Sequence, residues 1–98
     1  MGYICLMIVS FQHKGLRLLF EKDDESKLQP RHVEKIRRIL YRLDEATTIE
    51  EMNQVGWGLH PLTGNLKSFW SVKVDKNFRI IFRFEEGKAL DVDYLDYH

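Results

Sequence analysis

The chain has 98 residues and a mass of 11.7 kDa, the size of a single hydrophobic core, so residues 1–98 are expected to form one domain. A content of 44% hydrophobic and 31% charged residues excludes a disordered tail and a membrane protein, and the single cysteine, Cys5, excludes an internal disulfide and a cysteine-rich zinc site. The lone cysteine makes a reducing, cytoplasmic setting the expectation, and fifteen Lys and Arg against fifteen Asp and Glu argue against a uniformly basic nucleic-acid binder.

In chain order, Tyr3 to Val9 is a continuous apolar run without the basic flank of a signal peptide and far short of a membrane span. Met7 to Phe11 reads as a β-strand, and residues 1–6 as an N-terminal extension. From His13 the pattern turns helical, with Leu16, Leu19 and Phe20 on one side and Lys14, Arg17 and Glu21 between them. The charged run 21–27 predicts a solvated loop. Pro30 then suits the first turn of a second helix, where a missing N–H costs nothing.

Val33, Ile36, Ile39, Leu40 and Leu43 trace the apolar stripe of that helix. Its opposite face is basic, because Arg31, Lys35, Arg38 and Arg42 follow one another at spacings of three and four residues. Such a face can meet phosphates, and is equally what a solvated helix surface looks like. Thr48-Ile49-Glu50-Glu51 has the spacing of a capping box and predicts a short third helix ending near Gly56.

After Gly64 the hydrophobic period changes to two. Phe69 to Val74 places Trp70, Val72 and Val74 on one face and Ser71 and Lys73 on the other. Asp75-Lys76-Asn77 reads as a hairpin loop, with Asn77 suited to a left-handed conformation. In the next strand Phe78, Ile80, Phe82 and Phe84 oppose Arg79, Ile81 and Arg83. Glu85 to Lys88 turns the chain, and Ala89 to Tyr94 forms a last strand with Leu90, Val92 and Tyr94 opposite Asp91 and Asp93. A strand, two or three helices and a three-stranded antiparallel meander make an α+β domain.

No phosphate-binding glycine loop is present, and the histidines at 13, 32, 60 and 98 include no pair at metal-ligand spacing. In Leu59-His60-Pro61-Leu62-Thr63-Gly64 the proline confines His60 to extended backbone. On spacing alone His60 is an ordinary loop histidine or a titratable ring held on a stiff loop beside the sheet. Arg79 and Arg83 share one face of their strand and are suited either to ion pairs with Asp91 or Asp93 or to a phosphate. The chain closes on three hydrogen-bonding side chains, Asp96-Tyr97-His98.

Taken together, these segments resemble the HigB toxins of type II toxin–antitoxin systems, a branch of the RelE/ParE superfamily. The resemblance is carried by Ile8-Val9-Ser10-Phe11-Gln12-His13-Lys14-Gly15-Leu16, Leu18-Leu19-Phe20, Leu59-His60-Pro61-Leu62, Phe69-Trp70-Ser71-Val72, Asn77-Phe78-Arg79-Ile80 and Asp96-Tyr97-His98, in that order along the chain. It leaves only residues 1–6 outside. It implies a RelE-like α+β fold and a metal-independent endoribonuclease that cuts mRNA in the ribosomal A site and halts translation. The RNA's own 2′-OH would attack the adjacent phosphate, with no cofactor. By the same resemblance His60, Asp96, Tyr97 and His98 are the catalytic set, Tyr97 orienting the 2′-OH or stacking on a base, and Arg79 holds the scissile phosphate. Relatives often carry a basic residue in the turn after His-Pro-Leu where this chain has Thr63, so Lys67 and Lys73 become the candidate phosphate contacts there. The implied partners are a HigA-type antitoxin, whose complex binds operator DNA, and the 70S ribosome with its mRNA. Two alternatives stand beside this reading, a ParE-like gyrase-binding toxin and a non-catalytic module that binds antitoxin and represses its operon.

Overall fold

The apolar stripe at Leu16 and Leu19 and the longer one from Val33 to Leu43 fold as two α-helices, Lys14–Lys22 (α1) and Pro30–Glu45 (α2), in a computed structural model that describes residues 7–96. The extension at residues 1–6, and Tyr97 and His98, lie outside the described residues. His13 caps α1 with its ring, since Nδ1 accepts from the backbone N–H groups of Gly15 at 3.0 Å and Leu16 at 3.4 Å. That is work for a side-chain acceptor at a helix N-terminus, here done by an imidazole instead of the commoner hydroxyl or carboxylate. The helix takes in Glu21 and Lys22 from the charged run and ends where Asp23 turns left-handed at φ 56°. Pro30 opens α2 as its position predicts.

The capping box at Thr48 and Glu51 is formed, the Glu51 carboxylate accepting from the N–H groups of Thr47 at 3.0 Å and Thr48 at 3.1 Å. What it starts is one 3₁₀ turn, Ile49–Met52, and no helix reaches Gly56. Met52 and Trp57 both enter the core, and residues five apart on a helix would point to different sides.

The remainder is an antiparallel sheet of four strands in sequential order, His60–Pro61 (β1), Phe69–Lys73 (β2), Phe78–Glu85 (β3) and Lys88–Asp96 (β4). The meander of three strands is as predicted, and the His-Pro element adds a short edge strand to it. Glu86 at φ 53° and Gly87 at φ 76° form the two left-handed positions of a tight hairpin between β3 and β4. Between β2 and β3 the turn is closed differently from the expectation. Asn77 is not among the residues with positive φ; instead Asp75 Oδ1 accepts from the N–H groups of Asn77 and Phe78, each at 2.8 Å.

Two sequence expectations give way at one point of β4. Asp91 sits at φ 54°, and the pairing of β3 with β4 slips between Ile81 and Arg83. This β-bulge changes the alternation, so Ala89, Val92 and Tyr94 face the helices while Leu90 pairs with Arg83 on the other side. The same bulge interrupts the N-terminal segment. Residues 7–12 run parallel to β4 but bridge it only at Ile8 with Ala89 and Phe11 with Val92, so the predicted strand is reduced to two isolated bridges. Between them the Asp91 N–H is taken by the Ser10 hydroxyl at 2.9 Å.

Both helices cover one face of the sheet. Leu16, Ile36, Ile39, Leu40 and Leu43 meet Val72, Ile80, Phe82 and Val92 in a core whose members are almost fully excluded from solvent. No helix among the described residues is long and apolar enough to cross a membrane.

Candidate active site

The helix-free face of the sheet carries three of the residues singled out by the sequence, His60, Lys73 and Arg79. Cross-strand pairing aligns His60 on β1 with Ser71 on β2, Ile81 on β3 and Asp93 on β4 in one row, and Lys73, Arg79 and Leu95 in the next. Paired residues share a face, so His60, Ser71, Lys73 and Arg79 occupy one corner of this surface.

His60 is half-buried, and its ring is oriented by the backbone of its own loop: Nδ1 lies 3.0 Å from the carbonyl oxygen of Gly58. A carbonyl only accepts, so Nδ1 carries a proton, which leaves Nε2 as the ring nitrogen turned away from the loop. Gly58 itself is left-handed at φ 59°, and a Cβ there would stand 3.2 Å from Lys73 Cε. The aliphatic stem of Lys73 is thereby laid against the loop that holds His60, with its ammonium exposed. Below His60 a hollow of about 200 Å³ is lined by His60, Pro61, Leu62, Thr63 and Leu66.

Arg79 reaches back across β2, its Nη1 donating to Ser71 Oγ at 3.4 Å. Ser71 is fully buried and pairs directly with His60, so it stands between the imidazole and the guanidinium. Arg83 behaves otherwise. Its Nε binds Asp91 at 2.9 Å and its Nη1 binds Glu85 at 2.8 Å, pairs that raise the guanidinium pKa and help to hold the Asp91 carboxyl below its usual range after the larger effect of Gln12. The ion-pair reading therefore holds for Arg83, and Arg79 is the arginine that contacts Ser71, the cross-strand partner of His60.

Lys67 follows the 3₁₀ turn Gly64–Leu66 and is exposed. Asp96 is not brought beside His60. It pairs with Phe78 at the end of β4, three strands away from β1, and that register turns its side chain toward the helix-bearing side. Among the described residues no group of three His, Cys, Asp or Glu side chains is arranged to hold a metal ion.

A family model described as the RelE-like toxin of type II toxin–antitoxin system HigB matches residues 9–98. The chain belongs to the HigB-like toxin family. Among curated relatives, it is 46% identical over 92 residues to "Endoribonuclease HigB" of Proteus vulgaris, an alignment covering 94% of this chain and all of that protein. It is 35% identical over 94 residues to "Toxin HigB-1" of Vibrio cholerae, covering 94% of this chain and 98% of that one. The α+β fold agrees with the family, and a type II toxin has an antitoxin as its partner.

In this HigB-like toxin the tertiary structure adds residues that the linear sequence does not announce. Ser71 reads from sequence as one polar position in an alternating strand; only its pairing with His60 and its contact with Arg79 single it out. The second addition is a trio built around one buried histidine. His32, only 3% exposed, lies with Nε2 2.7 Å from Asp75 Oδ2 and Nδ1 2.5 Å from the Tyr94 hydroxyl. The His32 hydrogen bond, followed by the N–H of Asn77, lowers the Asp75 pKa from 3.8 to about 2. Burial, reinforced by the Asp75 charge, raises that of Tyr94. The available signal was a histidine flanking the apolar stripe of α2, one residue before Val33 and four before Ile36.

Proposed function

We propose that this toxin is an endoribonuclease that cleaves mRNA in the ribosomal A site and thereby stops translation. The observation that carries the reading is the His60 ring, oriented by its Nδ1–H bond to the Gly58 carbonyl, in a corner shared with Arg79 and Lys73. The relative named as an endoribonuclease, aligned over its whole length, supports the same activity here.

In the proposed reaction a base removes the proton of the 2′-OH, the 2′-oxygen forms a bond to the adjacent phosphorus, and the bond from phosphorus to the 5′-oxygen breaks. An acid protonates the departing 5′-oxygen, leaving a 2′,3′-cyclic phosphate and a 5′-OH. The orientation of His60 suits the base, because a neutral imidazole with Nδ1–H engaged has its lone pair on Nε2. The family resemblance implies His98 and Asp96 in acid–base roles and Tyr97 orienting the 2′-OH or stacking on a base; Asp96 would do so from the end of β4, apart from the His60 corner. Arg79 stabilises the phosphate as it gains negative charge, with a forked geometry that lysine does not reproduce, and Lys73 and Lys67 extend the positive surface along the RNA. The 2′-OH requirement excludes DNA as a substrate. The side chains perform the acid–base work without a metal ion, and a HigA-type antitoxin restrains the enzyme in a complex that binds operator DNA.

Primer extension on a defined mRNA, with and without 70S ribosomes and with EDTA present, tests this. Cuts that require ribosomes and survive EDTA are expected. Intact message in both reactions, from folded protein, would overturn the nuclease reading.

A further inference from the structure

Arg38, Tyr41, Arg42 and Glu45 stand at spacings of three and four residues on the outer side of α2 and form one wall of a groove of about 500 Å³. The facing wall is the turn carrying Gln54, Val55 and Trp57. Its shape is fixed by its own bonds. The Gln54 side-chain amide donates to the Glu51 carbonyl at 2.9 Å, the Gln54 carbonyl accepts from the Trp57 N–H at 3.0 Å, and Gly56 at φ 84° supplies the left-handed third position of the turn. Val55 is thereby held at the tip, wholly exposed. Only three large apolar side chains among the described residues are exposed, Val9, Tyr41 and Val55, and two of them line this groove.

The cations around the groove are left without carboxylates. Arg31, Arg37 and Arg83 each face an acid, whereas Lys35, Arg38, Arg42 and Lys73 form no ion pair among the described residues. Burial, and after it the charges of Arg38 and Lys73, push the Lys35 pKa down, so these three side chains stand close enough to repel one another. Cations gathered in this way favour an anion that neutralises them. Glu45 is the one acid in the lining; it repels an acidic peptide, but it can accept from the amino group of a nucleobase. An exposed aromatic ring, forked cations and polar groups able to read a base edge are together what holds an unpaired nucleotide.

The groove is also joined to the catalytic corner. The carbonyl of Trp57 accepts from the Lys73 N–H at 2.7 Å, and the carbonyl of the next residue, Gly58, holds the His60 ring. Lys73, whose stem lies along Gly58, is common to both places, and the cations run from beside His60 through Lys73 and Lys35 to Arg38 and Arg42.

The geometry points to a second RNA site: a nucleotide of the message, on the strand beyond the scissile phosphate, seats in this groove with its base against Tyr41 and Val55 and its phosphate between Arg38 and Arg42. Lys73 and Lys35 carry the backbone from one site to the other. The inference rests on the nuclease reading for the identity of the strand as substrate, and on the groove alone for its affinity for unpaired RNA.

The test uses Tyr41→Ala and the double variant Arg38→Gln, Arg42→Gln, all at exposed positions, with Arg17→Gln, Lys22→Gln on α1 as a charge-matched control. Fluorescence anisotropy with a labelled single-stranded RNA of about twelve nucleotides, in EDTA and over a salt series, reads binding by the protein alone. Tyr41→Ala should weaken binding about fivefold to a hundredfold, as loss of one base stack does. The arginine pair should lower the salt slope by about 1.4, at about 0.7 for each phosphate contact on a single strand, and the control should leave the slope unchanged. On programmed ribosomes the groove variants should need about tenfold more protein for half-maximal cleavage, with the rate at saturation retained. Groove variants that bind RNA as wild type does, a wild type without saturable binding, or an equal loss in the control would overturn the site. An equal loss of affinity for ribosomes carrying no message would give the groove to ribosomal RNA, and release of a co-expressed antitoxin with RNA binding intact would give it to a protein; either result overturns the message as occupant. If RNA binding falls as expected but the wild type cuts no message, the RNA site stands and its part in cleavage fails with the nuclease reading.

Discussion

Replacing His60 by Asn isolates one nitrogen of the proposed base. The Asn amide is short enough to stand where Nδ1 does and can donate to the Gly58 carbonyl now bonded at 3.0 Å, so the loop keeps its hydrogen bond. What it lacks is Nε2. General acid–base catalysis by one positioned group contributes about 10²–10⁴-fold, or about 2.7–5.4 kcal/mol of barrier. The stability change should be much smaller, since the ring is half-buried at an edge strand and outside the main core; it should stay under about 1 kcal/mol, a shift of no more than about 4–8 °C in Tm for a chain of this size. The assay is single-turnover cleavage of ribosome-bound mRNA across a concentration series, alongside thermal unfolding. The expected result is a rate at saturation lowered at least a hundredfold with half-saturation and Tm nearly unchanged. A variant cleaving within tenfold of wild type would refute the assignment of His60 as the base. A rate loss matched by a collapse in Tm would mean that the loop hydrogen bond, and not Nε2, was what mattered.

Three further outcomes are expected. Gly58→Ala places a Cβ on a residue at φ 59° and 3.2 Å from Lys73 Cε, so it should destabilise by about 1–2 kcal/mol in urea unfolding and displace the Lys73 stem, with weaker binding of programmed ribosomes. Asp75 has a folded pKa of about 2 against 3.8 for the ordinary carboxyl, so its contribution to stability is present above pH 3.8 and is lost as pH falls toward 2; unfolding midpoints measured from pH 6 to 2 should decline less steeply for Asp75→Asn than for wild type, and parallel curves would contradict the assigned partners. Phe82 is fully buried at the centre of β3, and Phe82→Ala should cost about 3–5 kcal/mol in denaturant unfolding; a loss below 1 kcal/mol would show that the core closes over the gap.

Much of the architecture was legible because it rests on local rules. The α2 stripe from Val33 to Leu43 repeats at the helical period and Pro30 marks its start, while β2 and β3 keep a period of two, broken only at Phe69 and Ile81. The segments around His60, Arg79 and the chain end carried the family resemblance in order, and the family match over residues 9–98 agrees with it. Those features depend on neighbours a few residues away, or on motifs read directly from the chain.

What only the tertiary structure decided depends on partners distant in sequence. One left-handed residue, Asp91, turned Leu90 to the other face and reduced the N-terminal strand to two bridges, and no pattern in Ala89 to Tyr94 announces such a bulge. His60 acquired its ring orientation from a carbonyl two residues back, yet its alignment with Ser71 and Arg79 exists only because three strands pair in one register. His32 meets groups 43 and 62 positions away, so its local sequence context shows only a histidine beside a helix stripe, and its bonding to Asp75 and Tyr94 follows from how α2 is laid across the sheet.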